Sequence, residues 1–291
     1  MTTNAFRPDS DGADLAHFVQ QGFVVYRGIH GSLHIDACRG YILDHFQKLQ
    51  RLSREKGQFA EDVNGWCVAI MAEFARTELY QRLIHNPSLG AMAQKYVGPD
   101  VAWFNYEGLF INVPKDKDPV TLKGQHTDVW TGTGMNTVFA ATFFTDNDEY
   151  NGLSVCPGSH LQGLMPVYNR KIDPAFDPKF NQINLMCRAG DIVVWHPLLI
   201  HATTGHSDKN IRISMTSRFT STETAKTSQE RALGYTTLSV GPMNQVLRLV
   251  GNDLLLPFRT MGGYVGVDRN MAGIYRHSPF KDAPDYSQYL R

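Results

Sequence analysis

From about residue 101 the chain breaks into short apolar runs closed off by turn residues, and this texture restricts the fold more than any other feature. "VAWFNYEGLFINVP" is followed by "TVFAATFFT", "LSVCPGSH", "INLMCRAGD", "IVVWHP" and "IRISMTSRF". The runs are rich in β-branched and aromatic residues, and Gly, Pro, Asn and Asp separate them. Roughly six such strands with this punctuation predict a sandwich or jelly roll. The part before residue 101 reads as mainly helical. Leu15, Phe18 and Val19 recur at helical spacing, Gly22 closes that helix, and Phe23 to Tyr26 form a strand. Ile35, Cys38, Ile42, Phe46 and Leu49 make one apolar stripe of a helix over 34–56. Residues 66–97 are helical with a break at Asn86-Pro87.

The chain therefore reads as one domain over 1–291, mainly β with flanking helices. A helical region covers about 1–100, a jelly-roll core about 101–222, and a C-terminal extension, with a helix in "GPMNQVLRLVG", about 223–291. Hydrophobic residues are 42% of the chain, enough for a real core, and Lys plus Arg equal Asp plus Glu at 28 each. With no long basic run, the electrostatic footprint of a nucleic-acid binder is missing. No apolar run reaches the ~18 residues of a membrane span, and no signal-peptide pattern opens the sequence. Four scattered cysteines without a CxxC pair read as reduced. These features predict a cytoplasmic protein.

"GQHTDVW" (124–130) carries the chemistry. On a strand, residues i and i+2 share a face, so His126 and Asp128 would point the same way. Alone, an HxD pair reads as a solvated polar pair at a strand end. His201 changes the balance. It lies 73 residues after Asp128 (201 − 128), at the end of "IVVWHPLLIH", and in a jelly roll a late strand pairs beside an early one. Two histidines and a carboxylate are the ligand set of non-haem Fe(II) oxygenases, which leaves one face of the metal open. Arg212 follows eleven residues later (212 − 201), in "NIRISMTSRF". An inward Arg requires an anionic partner, and its planar fork suits a carboxylate. The far carboxylate of a metal-bound 2-oxoglutarate would be such a partner.

HxD, a distant His and Arg at +11 together resemble the phytanoyl-CoA dioxygenase family of Fe(II)/2-oxoglutarate oxygenases. "QQGFVVYRGI" is similar to that family's entry from helix to strand, and "LFINVPKD" to the segment before its first ligand. "NGLSVCPGSH" is similar to its NG…PGSH signature, and "AGDIVVWHPLLIH" to the strand leading to the distal His. The resemblance covers roughly residues 12–220. It implies a double-stranded β-helix (cupin-like jelly roll), with His126, Asp128 and His201 as iron ligands and Arg212 as anchor of the cosubstrate's distal carboxylate. It also implies a supporting hydroxyl at Thr203, and Fe(II), 2-oxoglutarate and O2 as cofactor and cosubstrates. The chain departs from the family on the strand before the NG motif, where Phe143 and Phe144 stand but no Trp.

Trp130, Phe110 and Tyr106 are expected to border a small-molecule substrate. His160, His196 and His206 are expected to lie off the metal, and Gly158 and Gly190 to be turn glycines. Arg259, Tyr264 and Tyr275 are candidates to reach over the barrel mouth. Hydroxylation is the expected reaction, with desaturation, ring closure or epoxidation as other uses of the same oxidant. A non-redox cupin-type metal binder or isomerase explains the triad but not Arg212. A binding protein that has lost turnover is disfavoured by an intact triad.

Overall fold

The computed structural model describes residues 13–56, 63–104, 108–112, 125–128, 137–148, 151–163, 165, 167–168, 171–172, 180–203, 211–221, 235–239 and 241–242. In chain order these form α1 (Ala13–Gln21), β1 (Phe23–Tyr26), α2 (Ser32–Lys56), α3 (Val63–Phe74), α4 (Glu78–Ile84), α5 (Pro87–Val97), β2 (Val101–Phe104) and β3 (Gly108–Asn112). They continue with β4 (Thr137–Phe143), β5 (Leu153–Val155), a 3₁₀ turn Ser159–Gln162, β6 (Val167–Tyr168), β7 (Lys171–Ile172), β8 (Ile183–Leu185), β9 (Ile192–Trp195), β10 (His201–Thr203), β11 (Arg212–Ser221) and β12 (Tyr235–Thr237).

The major sheet runs β1-β9-β4-β11-β2-β12, and β3 also pairs with β11. A minor sheet runs β10-β5-β8, β6 pairs with β7, and all these pairings are antiparallel. The period-2 rule sorts the strand residues into two cores. Val24, Tyr26, Val138, Ala140, Ile192, Val194, Ile213 and Met215 pack with the helices. Their neighbours Phe23, Val25, Phe139, Ala141, Phe143, Val193 and Trp195 turn to the other side, where Leu153, Val155 and Leu185 of the minor sheet meet them. Helices thus cover one face of the large sheet, and a double-sheet β core, the expected jelly-roll arrangement, occupies the other.

The helical stripe of α2 is buried at Ile35, Cys38, Ile42 and Phe46. The expected break at Asn86-Pro87 is the start of α5: the Asn86 side chain accepts from Ser88 N, and Pro87 occupies the first turn, where its missing N–H costs nothing. A second break follows Phe74, where the Thr77 side chain caps α4 by accepting from Tyr80 N. The region read as mainly helical contributes β1 to the edge of the major sheet, and the region read as an extension contributes β12 to its other edge. Of the helix expected over 241–251, all but Gly241 and Pro242 lies outside the described residues. All four cysteines are free and buried.

The "AGD" turn leads into β9 and bonds to the residues that follow its sheet neighbour β1. Gly190 sits at φ 93°, and a Cβ there would come 2.7 Å from the His30 carbonyl oxygen. The Asp191 carboxylate then accepts from Gly28 N (2.9 Å) and Arg188 N (2.8 Å) and pairs with Arg27. His30 itself is buried, and its Nδ1 accepts from Asn86 Nδ2 at 3.1 Å. Burial, aided by the neighbouring His34, pushes its pKa down to about 4. The folded chain holds the ring neutral, whereas the unfolded chain takes up a proton near 6.5. His30 therefore contributes its stability in full above about pH 6.5 and loses it as the pH falls toward 4. Urea midpoints of the metal-free protein should drop over that interval, and the drop should be shallower in His30→Asn. Parallel curves for the two proteins would contradict this assignment.

Candidate metal centre

His126, Asp128 and His201 converge, each buried, with one donor atom of each lying within 4.8 Å of the others. His126 Nε2 is 3.8 Å from Asp128 Oδ1, and His201 Nε2 is 3.4 Å from Asp128 Oδ2. Donors on adjacent bonds of about 2.1 Å stand roughly 3 Å apart, so these spacings suit one shared ion.

The backbone assembles the site. His126 and His201 form a single antiparallel bridge, with His126 N to His201 O and His201 N to His126 O both at 3.0 Å. The expectation that 126–128 form a strand is corrected here. Residue 126 makes only that one bridge, and Asp128 lies in a bend. Its N–H donates to Pro197 O (2.9 Å), and its Oδ2 accepts from the Trp195 indole N–H (2.9 Å). His201 Nδ1 is 2.9 Å from the Leu199 carbonyl, to which it donates. That bond leaves the Nε2 lone pair for a metal.

The "NGLSVCPGSH" stretch has two jobs. At its far end Ser159 Oγ accepts from Ile200 N (2.9 Å), Gly158 N donates to Gln21 O (2.9 Å), and His160 Nε2 donates to Val19 O (3.0 Å). These bonds tie the strand carrying His201 to the end of α1. His160 is thus a structural residue. His196 is also off the metal, packed beside His160 with 5.4 Å between ring centroids and 47° between ring planes.

At its near end the stretch receives Arg212. Nη1 donates to the Asn151 and Gly152 carbonyls (2.9 Å each), and Nη2 donates to Asn112 Oδ1 (2.7 Å). Asn112 lies directly across from Arg212 in the β3–β11 ladder. Three of the guanidinium's five donors are thereby used. Among the described residues Nε is buried with no partner, and every bonded acceptor is neutral. Burial pulls the guanidinium pKa down to about 10, so it is still a cation at neutral pH. A buried cation carries a desolvation cost of several kcal/mol, and its three bonds to neutral acceptors leave the charge itself without a counter-ion among the described residues. Nε–H and the second Nη2–H form a side-on fork, which is the geometry a carboxylate accepts.

Thr203 is two residues from His201 on the same face of β10, and half-buried. It pairs with Leu153, while His201 pairs with Val155. The strand direction therefore runs from the triad past Thr203 to Gly152, where Arg212 is bonded. The three residues from Val155 to Gly152 span roughly 10 Å. Phe110 pairs with Ser214 and shares a face with Asn112. Tyr106 and Trp130 lie outside the described residues, as do His206, Arg259, Tyr264 and Tyr275.

Trp195 was not singled out by sequence reasoning, because in "IVVW" it reads as one more apolar strand residue. The sign available was its period-2 phase with Val193, which aims it into the β core rather than at the helices.

Two imidazoles and a carboxylate at one point, inside a double-sheet β core, with a buried cation bonded at Gly152 where the β10–β5 pair ends, define the class: Fe(II)- and 2-oxoglutarate-dependent oxygenases. The chain belongs to the phytanoyl-CoA dioxygenase (PhyH) family, whose model matches residues 19–214. No curated protein sequence matches it. Solved structures share the fold at low identity. The epimerase SnoN in complex with Fe3+, α-ketoglutarate and nogalamycin RO is 18% identical with a TM-score of 0.54, covering 75% of this chain and 86% of that one. The carbocyclase SnoK from nogalamycin biosynthesis is 18% identical (TM-score 0.51; 82% and 91% covered). HygX from Streptomyces hygroscopicus, with nickel and 2-oxoglutarate bound, is 17% identical (TM-score 0.50; 77% and 95% covered). Among the described residues, no helix is long and apolar enough to cross a membrane.

Proposed function

We propose that this enzyme hydroxylates a small molecule, with His126, Asp128 and His201 as the iron ligands and Arg212 as the anchor of 2-oxoglutarate. The observation that carries this reading is the Arg212 guanidinium, buried among neutral acceptors with a donor fork left over, on the strand path leading from the triad. A non-redox metal protein would need the triad but would gain nothing from that cation. SnoN and HygX, whose structures contain α-ketoglutarate or 2-oxoglutarate, support the cosubstrate.

In this reading the iron and its cosubstrate, when bound, supply an oxidant from O2 as 2-oxoglutarate is converted to succinate and CO2. The protein's residues set the geometry. Arg212 and Asn112 hold the far carboxylate, and Thr203 offers a hydroxyl between the two ends. Leu199 O fixes the His201 tautomer. Phe110 lines the wall on the Asn112 side and excludes water, with Tyr106 and Trp130 proposed as further substrate contacts. The region before residue 101 belongs to the same catalytic unit, a reading supported by β1 as a strand of the major sheet.

A second reading uses the same centre for ring closure, desaturation or epimerisation, and the SnoK carbocyclase and SnoN epimerase folds favour keeping it in view. The test is incubation with Fe(II), 2-oxoglutarate and a panel of small molecules, with succinate measured and products weighed by mass spectrometry. Hydroxylation adds one oxygen, and desaturation or ring closure removes two hydrogens. Absence of succinate across the panel, and in substrate-free turnover, would return the protein to the non-redox class.

A further inference from the structure

We propose that Trp195 is a positioning residue of the metal centre, the group that sets the orientation of the Asp128 carboxylate. This inference rests on the metal-site reading above and goes beyond its ligand set. The three ligands are not held alike. His126 and His201 hold each other through a two-bond backbone bridge, and His201 is further fixed by Leu199 O. Asp128 lies in a bend, outside any ladder, so no sheet geometry dictates where its side chain points. Its direction is set by the segment 195–197, which grips it at two points. Pro197 O takes the backbone N–H, and the Trp195 indole N–H takes Oδ2, each at 2.9 Å.

An indole N–H can donate but never accept. It therefore chooses one carboxylate oxygen as its acceptor and fixes the rotation of the group about its last bond, a torsion that is otherwise broad and soft. The indole is itself held fast. It is buried at the end of β9, stacks on Phe139 across the ladder (centroids 5.7 Å apart, 23° between planes), and leans against the His201 ring at 5.3 Å. One side chain thus touches two of the three ligands. Packing would call for an aromatic ring here, but a phenylalanine would satisfy packing, and the N–H is what reaches Asp128.

The test uses the full-length, metal-free protein and Co2+ alone, without 2-oxoglutarate or substrate. Co2+ affinity is measured by competition with a chelator, and the visible ligand-field spectrum of the Co2+ form is recorded. Trp195→Phe keeps the ring and removes the donor. Trp103→Phe is the control: Trp103 is fully buried against Phe219 on the helix side of the sheet, away from the centre. Trp195→Phe should weaken Co2+ binding by about 10- to 100-fold, as loss of an outer hydrogen bond to a metal ligand does, and should shift the spectrum. Trp103→Phe should lower thermal stability while leaving affinity and spectrum at wild-type values. Wild-type affinity and an unchanged spectrum in Trp195→Phe would overturn the proposal, as would equal losses of affinity in both variants. Failure of wild-type protein to take up Co2+ would instead bring down the metal assignment on which the inference rests.

Discussion

Asp128→Ala is expected to lower succinate formation by on the order of 10³-fold, because the metal's charge stabilisation, worth several kcal/mol, goes with it. Asp128 is the anionic member of the triad. Without it two neutral imidazoles face a divalent ion, and the Trp195 N–H loses its acceptor in a buried setting. That orphaned donor costs stability as well, about 1–3 kcal/mol. Asp128→Asn separates the two effects. Its amide oxygen still accepts from Trp195, so thermal stability should return toward wild type while turnover stays low. The measurements are succinate release at saturating Fe(II) and 2-oxoglutarate, and melting temperature of the metal-free proteins. An Asp128→Ala enzyme retaining a tenth or more of wild-type turnover would contradict the ligand assignment.

The second large effect is expected at Arg212. Arg212→Leu should raise the KM for 2-oxoglutarate by about 30-fold or more, since truncating one side of a buried charge pair costs about 2–5 kcal/mol. Arg212→Lys should recover little of this. A lysine ammonium is a point donor and cannot present the side-on fork that Nε and Nη2 form. Either change also removes bonds that Asn151, Gly152 and Asn112 now accept from Arg212, so melting temperature falls in parallel. The discriminating readout is therefore selective: KM for 2-oxoglutarate rises while Co2+ affinity, which depends on the triad, holds. An unchanged KM for 2-oxoglutarate would remove the cation from the cosubstrate site and leave its burial without a functional reason.

The candidate site was legible because its side chains have few other uses in their settings. A distant histidine after a buried strand and an arginine on an alternating apolar strand each stand out from their neighbours. The strand runs were legible for the same kind of reason: period 2 predicts the sorting of Phe139, Ala141 and Phe143 from Val138 and Ala140, and the two cores follow it. Three features were not legible. The Trp195–Asp128 bond joins residues 67 apart through side chains alone, and no local pattern encodes such a contact. The bend at Asp128 is imposed by Pro197 O, from the turn after β9, and by the 126–201 bridge, both of which arrive from far later in the chain. The strand at Tyr235–Thr237 is three residues long, too short for periodicity to register, and is ordered by pairing with β2. In each case tertiary partners decide a conformation that local propensity leaves open.

The reciprocal backbone bonds between His126 and His201 carry one more consequence. The imidazoles are brought together by the polypeptide, so their convergence does not wait for an ion. On the proposed ligand assignment, incoming metal would meet a ready-made receptor, and its binding energy would not be consumed in gathering scattered ligands. Such a receptor discriminates poorly between ions of similar radius, and its preferences should climb the general divalent series from manganese through iron and cobalt to nickel. On that assignment, the ion the enzyme carries in a cell would depend on supply as well as on the protein.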